Sequence, residues 1–260
     1  MTTQSTPAFD YGLLVGSLVN SGRVRPSNED EVIVCPEAGF YAVSDGMGGL
    51  PKGGRTALLL KETLPHRMTT VLHAIPPFPS PENAAGQLKQ EISKISDMIY
   101  YNYNPVRWQA GATLSGVRLT GRHALFVNLG DSRGYLLPRN RKKIRQITDD
   151  HNQAAALVKE GKITKEMAIT HVASTRLTRF VGMTPPVIPD LFIEEVCPGD
   201  RILLCSDGLY GMVSETDLSA IMGSSPDPDL ICERLVEKAN AQGGWDNISV
   251  VYIEVIFPPP

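Results

Sequence analysis

Four aspartates each stand next to a predicted β-strand, three where a strand ends and one just before a strand begins. Two apolar strands finish with the same phrase, Ser-Asp-Gly, at Asp45 and at Asp207, and a third strand runs into Asp131. Asp246 directly precedes the last predicted strand. Because the end of one antiparallel strand lies beside the start of its neighbour, we expect these carboxylates to meet at one edge of a layered sheet.

Such a cluster of carboxylates predicts a metal site. Neighbouring negative charges raise one another's pKa unless a cation lies between them. Mg²⁺ and Mn²⁺ prefer all-oxygen ligands, and glycines beside the acids let a carbonyl such as that of Gly46 serve as one. A single Asp-Gly after a strand usually forms only a turn. The prediction therefore rests on the repetition of the pattern within one chain.

The elements that must position these acids come in groups. The residue pattern predicts strands at 13–19, 32–35, 40–43, 112–119, 123–129, 134–137, 144–148, 191–196, 201–205 and 247–256. A first helix is predicted to start at 53 and to end where Pro65 should break it. Further helices are predicted to start at 81, 214 and 228. Asp150 is expected to cap a short helix, and 162–190 show no clear period. Because helices follow groups of strands, the pattern favours an α+β fold over a doubly wound parallel sheet.

Composition argues against several other classes of protein. The formal net charge of −3 provides no positive field for nucleic acid or an anionic membrane. The four cysteines lack paired or zinc-like spacing, which predicts reduced thiols. No secretory leader or membrane-spanning segment is recognisable. We therefore expect a soluble cytoplasmic protein, and a monomer, since nothing indicates an obligate dimer.

Seven motifs, in order along the chain, resemble the type-2C metal-dependent protein phosphatases (the PPM family) in their compact bacterial form. They are Arg23-Val24-Arg25-Pro26-Ser27-Asn28-Glu29-Asp30, Ser44-Asp45-Gly46-Met47-Gly48-Gly49, Gly111-Ala112-Thr113-Leu114, Asn128-Leu129-Gly130-Asp131-Ser132-Arg133, Gln146-Ile147-Thr148-Asp149-Asp150-His151, Cys205-Ser206-Asp207-Gly208-Leu209 and Gly244-Trp245-Asp246-Asn247-Ile248-Ser249. The resemblance implies a four-layer α-β-β-α sandwich of two antiparallel sheets flanked by helix pairs. It implies one catalytic domain over 1–260, with a core at about 10–256 and a flap at about 152–190.

The resemblance also implies a ligand set for Mn²⁺ or Mg²⁺. Asp45 would bridge two ions, with the carbonyl of Gly46 on the second. Asp207 and Asp246 would hold the first ion. Asp131, together with Asp207, would form a third, weaker metal site.

Residues of the first motif would support the reaction. Arg25 would bind the substrate phosphate, for which a planar guanidinium is suited. Glu29 and Asp30 would mainly orient metal-bound waters. A metal-activated water would attack phosphoserine or phosphothreonine directly, without a phosphoenzyme intermediate. Many eukaryotic relatives carry a histidine where this chain has Met47, so a metal-bound water is expected to protonate the leaving group.

The expected substrates are phosphorylated proteins, and relatives of this size commonly oppose a eukaryotic-like bacterial Ser/Thr kinase and act on its targets. The flap departs from the bacterial His-Pro-x-Arg-Asn pattern, since the chain reads His171-Val172-Ala173-Ser174-Thr175. Two alternatives stay open, a phosphoprotein-binding pseudophosphatase and a phosphatase for a small molecule. The intact acid set argues against the first, and the lack of a deep-pocket insertion argues against the second.

Overall fold

Two antiparallel sheets stack at the centre of the computed structural model, which describes residues 4–5, 9–47, 53–73, 80–103, 110–140 and 143–258. One sheet has the spatial order β1 (Gln4–Ser5), β2 (Gly12–Asn20), β11 (Ile248–Ile256), β10 (Arg201–Cys205), β7 (Arg133–Leu137) and β8 (Arg145–Gln146). The other has the order β3 (Asp30–Cys35), β4 (Phe40–Asp45), β5 (Leu114–Thr120), β6 (His123–Leu129) and β9 (Asp190–Glu195). The predicted strands match these ranges closely, although β8 is shorter than the expected 144–148.

Helices cover the outer face of each sheet. The pair α1 (Gly53–His73) and α2 (Pro81–Tyr103) packs on the β3–β9 sheet. The pair α6 (Glu215–Met222) and α7 (Pro228–Ala241) packs on the outer face of the other sheet and shares an apolar core with it. The four-layer α-β-β-α sandwich is thus confirmed. The remaining helical segments of the described residues are α3 (Gln153–Lys159), α4 (Lys165–Thr170), α5 (Asp207–Tyr210) and two 3-10 turns (Pro36–Ala38 and Val172–Thr175).

Strand alternation explains how one strand serves two cores. Along β11, Val251 and Ile253 pack between the two sheets, whereas Val250 and Tyr252 pack beneath the helices. Successive side chains of a strand point to opposite faces, and both faces of this strand are covered. The strand consequently reads as a continuous apolar run, since each of these residues is almost completely buried.

The prediction that α1 ends before Pro65 is wrong, because the helix continues to His73. A proline inside a helix costs about 3 kcal/mol, since it removes one backbone hydrogen bond and crowds the preceding turn. Leu64 and Met68, on either side of Pro65, are both buried against the sheet. Burying two such side chains contributes roughly 1.5–3 kcal/mol each, which is enough to offset this cost.

The segment 152–190 differs from expectation in two details. The side chain of Asn152, and not Asp150, caps α3 by accepting a hydrogen bond from the backbone N–H of Ala155 at 2.9 Å. Asp150 instead forms an ion pair with Arg133 at 2.7 Å. The helix α4 was not predicted, because none of its residues is buried and it therefore has no apolar period.

Two predictions from composition concern the state of the thiols and membrane-spanning segments. All four cysteines are free thiols, with Cys35, Cys205 and Cys232 buried and Cys197 partly exposed. Within the described ranges, no helix combines the length and the apolar character needed to cross a membrane.

Candidate active site

Five aspartates gather at one end of the sandwich. The register of β3 with β4 places Asp30 opposite Asp45. Asp207 follows β10, whose last residue, Cys205, pairs with Val250 near the start of β11, so Asp207 approaches Asp246. Asp131 follows β6, and all four of the other acids raise the pKa of Asp45 through their charge. The structure therefore brings together the four aspartates that the strand pattern singles out, with Asp30 as a fifth.

One glycine allows the closest approach within this cluster. A Cβ atom on Gly208 would lie 2.0 Å from the backbone oxygen of Asn247. Any side chain at 208 would therefore push α5 away from the start of β11. Because the neighbours of these two residues are Asp207 and Asp246, this contact sets the separation of two predicted ligands.

The carboxylates have strongly displaced pKa values. Burial is the main cause, and repulsion between the acids adds to it. Together these effects raise the pKa of Asp131 to about 8, of Asp30 to about 7 and of Asp207 to about 6. Burial and the other acids raise the pKa of Asp45 well above its ordinary value. Without a counter-charge, part of the cluster is protonated at neutral pH.

Buried oxygens without partners test whether a cation fits this cluster. Both carboxylate oxygens of Asp30 and the Oδ1 atom of Asp207 are buried and accept no hydrogen bond. The hydroxyls of Ser206 and Ser249 lie near enough to lower the pKa of Asp30, but neither forms a well-oriented hydrogen bond with it. Leaving such oxygens without partners is costly, and hard divalent cations prefer this type of donor. The donor set therefore fits Mn²⁺ or Mg²⁺.

Arg25 forms an ion pair with Asp246, one of the predicted metal ligands. Its Nη2 atom donates a hydrogen bond to Oδ2 of Asp246 at 2.7 Å, and about half of its side chain is exposed. The other oxygen of Asp246 accepts the backbone N–H of Asn247 at 2.8 Å. Among the described residues, no three acidic, histidine or cysteine side chains stand as a ready-made ligand group.

Asn247 joins the two ends of the chain at the site. Its amide nitrogen donates to the carbonyl oxygens of Ser21 and Ser27, at 3.0 and 2.9 Å. Its amide oxygen accepts the backbone N–H of Glu29 at 2.8 Å. The carbonyl of Glu29 in turn accepts the N–H of Gly46 at 3.1 Å. This buried asparagine thus ties the segment that carries Arg25, Glu29 and Asp30 to the acids.

Asp131 is held by two further contacts. Its carboxylate accepts a hydrogen bond from Asn152 at 3.2 Å, and its carbonyl accepts the hydroxyl of Tyr210 at 2.9 Å. Arg133 lies over the ring of Tyr210, with 3.7 Å between the guanidinium carbon and the ring centroid. Asn152, the cap of α3, therefore links the flap to the predicted third metal site.

A second, partly buried network joins the flap to the Asp131 loop. The Nδ1 atom of His151 accepts the backbone N–H of Gly130 at 3.2 Å, so its ring proton lies on Nε2, which donates to Asp190 at 3.0 Å. Arg179 binds both oxygens of Asp190, at 2.7 and 2.8 Å. Its Nη2 atom also lies 2.7 Å from Nε2, a contact that cannot be a hydrogen bond in this tautomer. Partial burial raises the pKa of Asp190, but the combined effect of Arg179 and His151 is larger and lowers it to about 2.

A cleft of about 200 Å³ opens over the acids. Asp131, Asp207 and Asp246 line it on the core side, together with Met212 and Trp245, and 168–170 and Ser174 line it on the flap side. A larger groove of about 1090 Å³ continues from it between the flap and β7, sharing Arg133, Asp150 and Tyr210. Gly48 and Gly49 of the second motif lie outside the described residues.

Comparison with known proteins identifies the family to which the chain belongs. Residues 24–157, just over half of the chain, match the family described as Protein phosphatase 2C. The chain belongs to the protein phosphatase 2C family.

Bacterial phosphatases resemble this protein phosphatase 2C member over most of its length. It is 33% identical over 241 residues to serine/threonine phosphatase stp of Listeria welshimeri, which covers 90% of this chain and 92% of that protein. The serine/threonine phosphatase of S. agalactiae has a TM-score of 0.81 and 26% identity, over 94% of this chain and 99% of that one. The catalytic domain of PstP, solved in complex with two manganese ions, has a TM-score of 0.76 and 32% identity, over 94% and 98%. The family assignment makes the chain a phosphoprotein phosphatase.

Sequence reasoning missed several residues of this phosphatase site. Asn152, Arg179 and Asp190 were not singled out, although they fix the flap and the Asp131 loop. Their partners are distant in sequence, so only the folded chain shows the pairing. A signal was nevertheless present for one of them, because an asparagine directly before a helical pattern is a preferred N-cap.

Metal-free protein is expected to become less stable between pH 6 and pH 8.5. The pKa values of Asp30, Asp131 and Asp207 are raised from 3.8 on folding, so the folded state keeps protons that the unfolded chain releases. This stabilisation is fully present below about pH 4 and is lost as the pH rises through 6 to 8. Denaturant unfolding of chelator-treated protein across this range measures it.

The control for this pH dependence is Asp131→Asn, which removes one of the titrating groups. The slope of unfolding free energy against pH should become shallower in this variant. Saturating Mn²⁺ should flatten the slope in the unaltered protein, since a bound cation favours the charged carboxylates. An unfolding free energy that stays level or rises between pH 6 and pH 8.5 without metal would contradict the expectation.

Proposed function

We propose that the chain hydrolyses phosphoserine and phosphothreonine in proteins and depends on Mn²⁺ or Mg²⁺. The observation that carries the proposal is the buried acid cluster with unpartnered oxygens on Asp30 and Asp207, beside the half-exposed Arg25. Such a site combines cation binding with recognition of a phosphate group. The names of the relatives, bacterial serine/threonine phosphatases, support the same choice of substrate.

The proposed ligands follow from the donor set. Asp45, Asp207 and Asp246 would hold two divalent ions, with the carbonyl of Gly46 as a further donor. Asp131 would contribute to a third site. When bound, the ions supply Lewis-acid activation of water and neutralise charge on the phosphoryl oxygens. The titration behaviour of the acids supports this role, because their mutual repulsion favours binding of a cation.

The chain's own residues supply orientation and charge. Arg25, now paired with Asp246, would turn its free N–H groups to the substrate phosphate, and its half-exposed position leaves room for that contact. Asp30 lies opposite Asp45 on the adjacent strand and would accept hydrogen bonds from ordered water, since its own oxygens have no partner. Glu29 is fixed through its backbone by Asn247 and would assist in the same way.

Direct attack by water, without a phosphoenzyme, is the proposed route. Neither cysteine nor histidine is among the described residues that line the cleft. Cys205, two residues before Asp207, is fully buried, and burial raises the pKa of its thiol far above neutrality. A thiol that stays protonated is a poor nucleophile.

A polypeptide is the proposed substrate because the cleft is small and adjoins a larger groove. A cleft of about 200 Å³ accommodates a phosphorylated side chain, and the adjoining groove of about 1090 Å³ offers an extended surface for its neighbours. We also propose that a bacterial Ser/Thr kinase and its targets supply these substrates. Monomeric state, a single catalytic domain and a cytoplasmic site of action remain predictions, and light scattering tests the first.

The test follows release of phosphate from a phosphothreonine peptide with Mn²⁺, with Mg²⁺ and with excess chelator. We expect turnover with either metal, none with chelator, and recovery when Mn²⁺ is added back. A sugar phosphate assayed in parallel should be turned over far more slowly. Turnover that survives exhaustive chelation would overturn the metal-dependent mechanism, and folded, metal-loaded protein without any turnover would indicate a phosphoprotein-binding role.

A further inference from the structure

An exposed tryptophan stands beside the acid cluster. Trp245 directly precedes Asp246, lines the cleft, and is 63% exposed. Its indole lies against Gly243, where a Cβ atom would come within 2.4 Å of the ring nitrogen. Single exposed apolar side chains are common, but aromatic residues are enriched where proteins recognise partners, and this one is part of the cleft lining. Nothing in the acid chemistry of the site requires an indole at this position.

The surroundings of Trp245 determine which kind of group it could contact. On the core side of the cleft Met212 lies with it, and on the flap side Ala168 and Ile169 face the same space. Arg23 packs against Gly244, and Arg25 is paired with Asp246. Apolar walls favour an apolar ligand over a polar or charged one, because a polar group loses its hydration there.

We propose that Trp245 is a specificity-determining residue that contacts an apolar side chain next to the phosphorylated residue of the substrate. The proposal rests on the function proposed above, because it concerns the same cleft. A phosphate held by Arg25 places its own residue over the acids. The neighbouring residue of the polypeptide then lies over the indole, which is adjacent in sequence to Asp246 and more exposed than any acid of the cluster.

The test uses three phosphothreonine peptides that differ only in the residues flanking the phosphothreonine: leucine, serine or lysine. The expected order of kcat/KM is leucine, then serine, then lysine. Trp245→Ala should lower kcat/KM for the leucine peptide about tenfold, mainly through KM, while the serine peptide and p-nitrophenyl phosphate change less than about twofold. Trp245→Phe should retain most of the preference, because a smaller aromatic ring keeps the apolar contact. Phe257→Ala serves as the matched control, since Phe257 is 72% exposed just beyond the opposite end of β11.

Two results of this assay would overturn the proposal. An equal loss on every substrate, p-nitrophenyl phosphate included, would mean that Trp245 only positions Asp246. A preference for the lysine peptide that disappears in Trp245→Ala would mean that the indole binds cations instead.

A binding measurement separates this proposal from the proposed function. The chain has two tryptophans, Trp108 and Trp245. A leucine-flanked peptide carrying a phosphonate analogue should shift the emission of the unaltered protein to shorter wavelength, and Trp245→Phe should abolish the shift. If the shift occurs and no peptide is hydrolysed, the proposed function fails and the role of Trp245 stands. If the peptides are hydrolysed without preference and without the shift, only the role of Trp245 fails.

Discussion

Asp207→Asn is expected to lower kcat on a phosphothreonine peptide by on the order of 10³-fold or more, since loss of one preorganised electrostatic group already costs about 10²–10³. Asp207 is central to the cluster, because its charge raises the pKa of Asp30, Asp45 and Asp131. Asparagine keeps its shape but removes the negative charge that a cation requires. Steady-state kinetics at saturating Mn²⁺ measures the loss, and calorimetry should show weaker Mn²⁺ binding.

Stability distinguishes this effect from misfolding. Removing one charge relieves repulsion between buried acids, so the metal-free variant should unfold at the same or a higher denaturant concentration than the unaltered protein at pH 8. Asp217→Asn is the matched control, because Asp217 is an acid of α6 that pairs with Lys238 in a partly exposed ion pair away from the acid cluster. If Asp207→Asn retains a tenth or more of the activity, Asp207 is not a ligand for the catalytic metal.

Arg25→Ala is expected to lower kcat/KM by about 10²-fold while leaving Mn²⁺ affinity unchanged or slightly higher. Arg25 makes its ion pair with Asp246 at 2.7 Å, so its removal frees that oxygen for a cation. Arg25→Lys should recover only part of the activity, because a single ammonium cannot bind two phosphate oxygens as a guanidinium does. The ion pair is half exposed, so we expect little change in stability.

Arg122→Ala provides the control for a lost surface arginine, since Arg122 lies in the β5–β6 turn at the far end of the sheet. Titrating Mn²⁺ before each assay keeps the metal saturated in every variant. The assignment of Arg25 to the phosphate would be wrong if the alanine variant had full kcat/KM at saturating Mn²⁺ and only required more metal to reach it.

Most of the architecture could be predicted from the sequence because it depends on local patterns. The strands β4, β6 and β10 are short apolar runs bounded by turn residues, and their ranges were predicted to within two residues. The exceptions arise where packing overrides a local rule. Pro65 lies within α1 because the residues around it are buried, and α4 has no fully buried residue and so carries no apolar period.

The sequence indicates which acids form the site, but it does not indicate which residues contact them. The repeated Ser-Asp-Gly phrase indicated Asp45 and Asp207, and antiparallel pairing explains why their strand ends meet. The pairing of Arg25 with Asp246, and of His151 with Asp190, joins segments that no local pattern relates. Such contacts depend on how loops pack across the sheet edge, which residue spacing does not specify.

The position of β11 sets an order of events during synthesis of the protein. This strand lies between β2 and β10, and Asn247 at its start binds loop residues more than 200 positions earlier. The ribosome therefore makes Arg25, Asp45 and Asp207 before the residues that hold them together exist. Contacts so distant in sequence form late and slowly. A nascent chain that has not yet reached Asp246 lacks one of the proposed metal ligands, so under the proposed mechanism it would not act on phosphoproteins before Asp246 is made.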